Sequence, residues 1–95
     1  MKVVRWSLLA RADLAGIDDY YHRLSVGFAS RVGTEAIDAA LFLADHPEAG
    51  QAVPGSPYRK WRVRKTPYIL FYRFDGTTLR VIRLIHASRN WKKLL

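Results

Sequence analysis

The chain has 95 residues, 49% of them hydrophobic, and a formal net charge of +8 at pH 7. That length makes one domain, residues 1–95, with a modest core, and the apolar content excludes a disordered basic tail. There is no cysteine, which excludes disulfides, thiolate chemistry and cysteine-type zinc sites.

Val3-Val4-Arg5-Trp6 reads as a short strand. No apolar run approaches the roughly 20 residues of a transmembrane helix, and this start turns charged too soon for a signal peptide. The expectation is a soluble cytoplasmic protein without a membrane partner. Ser7 is placed to cap a helix. Ala10, Leu14, Ile17, Tyr21 and Leu24 then recur at spacings of three and four, which predicts an amphipathic helix over 8–24. Asp13 lies near its start, where the helix dipole favours an acid. Ser25-Val26-Gly27 breaks the pattern. Phe28, Val32, Ala36, Ala39 or Ala40, and Leu43, with Ile37 and Leu41 widening the stripe, predict a second helix over 28–45, its alanines suiting close approach to the first. The short link makes the two an antiparallel hairpin.

His46-Pro47-Glu48-Ala49-Gly50 ends the second helix, and 50–57 reads as loop. Strands are expected near 59–65, 68–74 and 79–86, separated by Thr66-Pro67 and by Asp75-Gly76-Thr77-Thr78, an Asp-Gly hairpin signal. The order β-α-α-β-β-β predicts an α+β fold, a helical hairpin packed on one face of a small antiparallel sheet.

Charge divides the chain. Residues 1–50 carry five Lys/Arg against seven Asp/Glu, a net of −2, whereas residues 51–95 carry eleven against one, Asp75, a net of +10. The positive half is threaded through the strands, which hold it as a patch facing a polyanion or an acidic protein. Alternation along the strands puts Trp61, Val63, Leu70, Tyr72, Ile82 and Leu84 under the helices. It leaves Lys60, Arg62, Arg64, Ile69, Phe71, Arg73, Val81, Arg83 and Ile85 on the other face. A face both basic and apolar calls for a cover: an acidic amphipathic peptide, a nucleic acid, or both in turn.

Individual residues have two readings each. His86, with Arg89 just beyond it, has the chemistry of a general acid or base; the plainer reading is a strand-end histidine bonded to backbone. His22 and His46 are too far from it in sequence to suggest a metal site. Lys60, Arg62 and Arg64 suit phosphates, or serve as solubilising charge on an edge strand. Trp61, Tyr68, Tyr72 and Phe74 suit a core better than base stacking. Trp91, among Asn90, Lys92 and Lys93, docks on the body or on a partner. No cofactor motif, phosphate loop or nucleophile series is present.

Taken in order, Trp6, Ala12-Asp13-Leu14 with Ile17 and Tyr20-Tyr21, the helix end His46-Pro47-Glu48-Ala49-Gly50, Tyr68 to Phe74, and Val81 to Arg89 resemble the ParE/RelE toxins of type II toxin–antitoxin systems. The likeness to the ParE branch is strongest in Tyr68–Phe74 and Val81–Arg89. The resemblance covers roughly residues 3–90. It implies a growth-arresting toxin neutralised by a cognate antitoxin through an acidic, amphipathic C-terminal segment. It also implies a higher-order complex that binds operator DNA through the antitoxin. RelE-like members are ribosome-dependent mRNA endonucleases, and ParE-like members are described as DNA gyrase poisons. Lys60, Arg62 and Arg89 match basic positions of the nuclease branch, and His86 would stand in as its base. That branch often has arginine where Ile69 stands and a late tyrosine that is absent here. The resemblance therefore favours a non-enzymatic gyrase inhibitor with no cofactor or metal, the endonuclease being the alternative and a non-toxic basic binding module a third reading. Contacts to target or antitoxin are expected from Lys60, Arg62, Arg64, Phe71, Arg73, Arg83, Arg89 and Trp91.

Overall fold

The computed structural model describes residues 3–95. Strand β1 (Val3–Trp6) leads into helices α1 (Leu8–His22) and α2 (Val26–Asp45), followed by β2 (Gln51–Ala52), β3 (Arg59–Arg62), β4 (Tyr68–Phe74) and β5 (Thr78–His86), and by a 3-10 turn at Trp91–Lys93. The expected α+β layering is present, with the helical hairpin on one face of a five-stranded sheet ordered β1-β5-β4-β3-β2.

The sheet is mixed rather than antiparallel: β1 runs parallel to β5, pairing Val3 with Thr78 through Trp6 with Val81. Short turns force only the consecutive strands β2 to β5 to alternate in direction. The partner of β1 lies more than 70 residues away, and side-chain alternation carries no information about its direction. The two-residue strand β2 falls in the segment expected to be loop and pairs with Lys60 and Arg59.

Both helices start on serine caps. The Ser7 hydroxyl accepts from Ala10 N at 3.0 Å and donates to Ile82 O at 2.8 Å, so one side chain starts α1 and fastens it to β5. The Ser25 hydroxyl accepts from Phe28 N at 3.2 Å. Because α1 stops at His22, Leu24 leaves the apolar stripe and is exposed.

Ala10, Val32, Ala36 and Leu43 from the helices close over Val63, Leu70, Tyr72, Leu79 and Val81, all essentially without solvent exposure. One correction reorders the sheet faces. A β-bulge lies between Phe71 and Tyr72: Phe71 pairs with Arg83 but Tyr72 with Val81, which leaves Ile82 as the extra residue of β5. The bulge resets alternation, so that Leu79, Val81 and Leu84 all join the helix-side core. Val81, expected on the open face, is core, and Ile82, expected in the core, is the bulged residue.

Tyr72 anchors the chain after α2. Its hydroxyl donates to Pro47 O at 2.8 Å and accepts from Gly50 N at 2.9 Å. Burial pushes its pKa up. A side chain at Gly50 would run into this ring and would meet Lys60 O at 2.9 Å, so the turn requires glycine for lack of space.

Candidate functional site

Lys60 and Arg62 leave β3 on the face away from the helices, while Trp61 between them turns inward and stacks on Phe42 of α2 at 5.5 Å. The apolar part of that outer face is covered by the chain itself. Val53, Phe71 and Ile85 form a second buried cluster, with Ile69, Trp91 and Leu94 packed against it. The Trp91 ring lies 5.3 Å from that of Phe71, and the Lys60 ammonium sits 4.7 Å above the indole. The cover that sequence alternation called for is therefore the C-terminal tail. Phe71, expected as a contact residue, is wholly buried beneath it, and Trp91 docks on the body.

Arg83, also expected as a contact residue, is engaged internally. β1 covers β5 only as far as Val81, and beyond it the strand edge is open. Arg83 reaches round this edge to Asp13 of α1. Its Nε and Nη2 donate to the two carboxylate oxygens at 2.7 and 2.9 Å, and its Nη1 donates to Leu94 O at 3.1 Å. The fork on Asp13 raises the guanidinium pKa. The same carboxylate accepts the edge N–H of Leu84 at 3.0 Å.

Arg64 does not share a face with Lys60 and Arg62. β3 ends at Arg62, and Arg64 borders a hollow of about 360 Å³ with Glu35, Asp38, Phe42 and Trp61 on the helix side. The turn continues through Lys65 at φ 60°. Arg62 donates from Nε to Thr66 O at 3.0 Å, closing the same turn.

His86 lies on the helix side of the sheet, edge-on to Tyr68 at 5.3 Å. The Tyr68 hydroxyl donates to that of Tyr21 at 3.3 Å. Burial first, then that bond, pushes the Tyr68 pKa up and keeps the phenol neutral. His86 Nδ1 accepts the backbone N–H of Ser88 at 3.1 Å and lies 2.7 Å from the Ser88 hydroxyl. This is the strand-end arrangement that the plainer reading described. Arg89 borders a groove of about 290 Å³ with His86, Tyr20 and Gly16. Lys60 and Arg62 thus face one side of the sheet and the His86 imidazole the other, so the four nuclease-like positions do not converge on one point. Among the described residues, no three His, Asp or Glu come together as a metal site.

Sequence reading missed a different cluster. Arg80 pairs with Arg73 on β4 and with Arg5 on β1. Their neighbours Val4, Trp6, Tyr72, Phe74, Leu79 and Val81 all point into the helix-side core. Arg5, Arg80 and Arg73 therefore stand in one row on the outer face. The alternation that places each was readable, but the adjacency of β1 to β5 that aligns them was not.

Residues 4–91 match the family model described as the ParE toxin of the type II toxin–antitoxin system parDE. Toxin RelE2 of Caulobacter vibrioides is 32% identical over 89 residues, covering 94% of this chain and 99% of the relative. Among solved structures, the chromosomal ParDE system of P. aeruginosa superposes with a TM-score of 0.78 at 21% identity, covering 90% of this chain and 96% of that one. The RelBE2 toxin–antitoxin complex of Mycobacterium tuberculosis superposes with a TM-score of 0.60 at 25% identity, over 90% and 96% of the two chains. The YoeB/ParE toxin of Agrobacterium tumefaciens gives 0.61 at 20% identity, over 90% and 98%. The match over residues 4–91, on a fold shared with these toxins, shows that the chain belongs to the ParE toxin family of type II toxin–antitoxin systems.

Proposed function

We propose that this toxin arrests growth by binding DNA gyrase and trapping its cleaved-DNA state, without catalysing a reaction of its own. The observation that carries this reading is the separation of Lys60 and Arg62 from His86 by the thickness of the sheet. A nuclease must stabilise the scissile phosphate and move its proton at one place. The match to the ParE branch supports the same reading. Arg62, Arg73 and Arg89 are exposed, and with Lys60 and the tail at Trp91 they supply contacts to gyrase or antitoxin. Gyrase works in the cytoplasm, where the toxin acts.

A cognate antitoxin neutralises the toxin through an acidic amphipathic segment. The basic half of the chain supplies the complementary charge. Exposed Leu8, Leu9, Ile37, Leu41 and Phe42 on the helices supply apolar surface for its other side. Operator DNA is bound through the antitoxin in a higher-order complex.

The alternative, a ribosome-dependent mRNA endonuclease, draws on Lys60 and Arg62 sharing one face and on the relative named RelE2. Purified gyrase, plasmid and ATP distinguish the two. The gyrase reading expects linear DNA after detergent and protease treatment, rising with toxin and abolished by antitoxin. No linear DNA, together with mRNA cleaved on programmed ribosomes, overturns it.

A further inference from the structure

The row Arg5–Arg80–Arg73 crosses three adjacent strands, β1, β5 and β4, on the face away from the helices. Neighbouring strands lie about 4.8 Å apart, so three guanidinium stems originate within roughly 10 Å. Like charges directly opposite each other destabilise a sheet, and this row places two such pairs side by side. Among the described residues, Asp75 is the acid that pairs with this row: its Oδ2 accepts from Arg80 Nε at 3.1 Å. Its other oxygen is occupied by Thr77 and by Thr78 N in the β4–β5 turn. One carboxylate against three guanidiniums leaves the row with a net charge of about +2, and Arg5 and Arg73 are exposed.

We infer that the Arg5–Arg80–Arg73 row is a docking strip for the sugar–phosphate backbone of a nucleic acid, on the same outer face as Lys60 but beside the part of it that the C-terminal tail covers. All three positions are arginine, whose planar fork matches phosphate oxygens in a way a lysine ammonium does not. The surroundings select nucleic acid over an acidic peptide. A disordered acidic segment that folds on binding must bury apolar surface to offset its lost entropy. The apolar part of this face, Phe71 and Ile85, is already sealed by Trp91 and Leu94, and the row itself is flanked by the polar turn Asp75–Thr78. A phosphate backbone needs no apolar burial, since release of its counterions drives association.

This inference deepens the gyrase reading and rests on it for DNA as the natural ligand. Its test needs neither gyrase nor cells, so the two readings fail separately. The full chain is titrated against a fluorescent random-sequence 20-base-pair duplex at several salt concentrations. Binding is expected, and the triple variant R5Q/R80Q/R73Q is expected to lose at least ten-fold in affinity at low salt. With about two phosphates neutralised by the row's net charge, the salt slope of the triple variant is expected to flatten by about 1.8 relative to the parent. A matched removal of three charges elsewhere, R23Q/R31Q/K65Q, is expected to lose far less. Thermal unfolding checks that the triple variant folds; relieving the like-charge row predicts an unchanged or raised midpoint. Equal losses in the two triple variants, or no duplex binding by the parent, would overturn the inference. Arginine-dependent binding of a polyglutamate peptide but not of the duplex would also overturn it, assigning the row to an acidic protein.

Discussion

The Asp13 carboxylate accepts both prongs of the Arg83 guanidinium, at 2.7 and 2.9 Å, and also the Leu84 backbone N–H at 3.0 Å. One acid on α1 thereby closes the stretch of β5 that β1 is too short to cover, and Arg83 ties the same point to the tail at Leu94. The pair is mostly buried, with side-chain exposures of 14% and 17%. Asp13→Ala strips two sets of donors at once and is expected to cost about 2–4 kcal/mol. Arg83→Met leaves Asp13 bonded to Leu84 and is expected to cost less. Urea unfolding of both variants checks the order; equal or reversed costs would contradict it.

Tyr72 makes a comparable link between the sheet and the turn after α2. Tyr72→Phe keeps the ring in the core but leaves Gly50 N–H and Pro47 O without their partner. The expected cost is about 1–3 kcal/mol. Amide exchange at Gly50 is expected to accelerate by more than exchange in β1.

The tail holds the outer face shut. Trp91→Ala uncovers Phe71 and Ile85 and removes the ring under Lys60. A loss of about 2 kcal/mol is expected, together with more binding of a hydrophobic dye than the parent shows. A stable variant that binds no more dye than the parent would mean that other residues seal the cluster.

These elements divide according to what alternation and spacing can encode. Helix faces, the Ser7 cap and the Asp75-Gly76 hairpin are local patterns, and they were legible. The bulge at Ile82 was not, because nothing in Val81-Ile82-Arg83-Leu84 marks which residue is extra, and that one residue exchanged Val81 for Ile82 in the core. The basic strand β3 was legible as charge, but what covers its outer face was not. Whether Trp91 covered its own sheet or another protein depended on a turn of chain that follows no periodicity. Arg5 and Arg80 were passed over for a similar reason, since their meeting depends on the parallel pairing of β1 with β5.

Acid sensitivity has an identifiable local source. Bonds from Thr78 and Thr77 N–H, and then from Arg80, hold the Asp75 carboxyl down at about 2. An ordinary aspartate titrates near 3.9 in an unfolded chain. The unfolded state therefore binds more protons between these values. The stabilisation is complete above about pH 4 and is lost as pH falls toward 2. Asp75→Asn is expected to flatten the pH dependence of the thermal midpoint in that window. An unchanged profile would place the acid-labile group elsewhere.

His86 provides an activity test. With Nδ1 tied to Ser88 and the ring on the helix side, His86→Gln is expected to change toxicity by less than about two-fold. Loss of a true general base costs about 10²–10⁴-fold. Dose–response of growth arrest under a titratable promoter reads the difference.

The central claim, arrest through gyrase by a toxin whose nuclease-like positions are split between two faces, is tested most directly by pulse labelling of DNA and protein synthesis in the first minutes after induction in a bacterial host. The account predicts that DNA synthesis stops first, with a DNA-damage response, while translation continues. An early stop in translation, with mRNA cut at codon-specific positions and the cutting lost on Arg89→Ala, would contradict it.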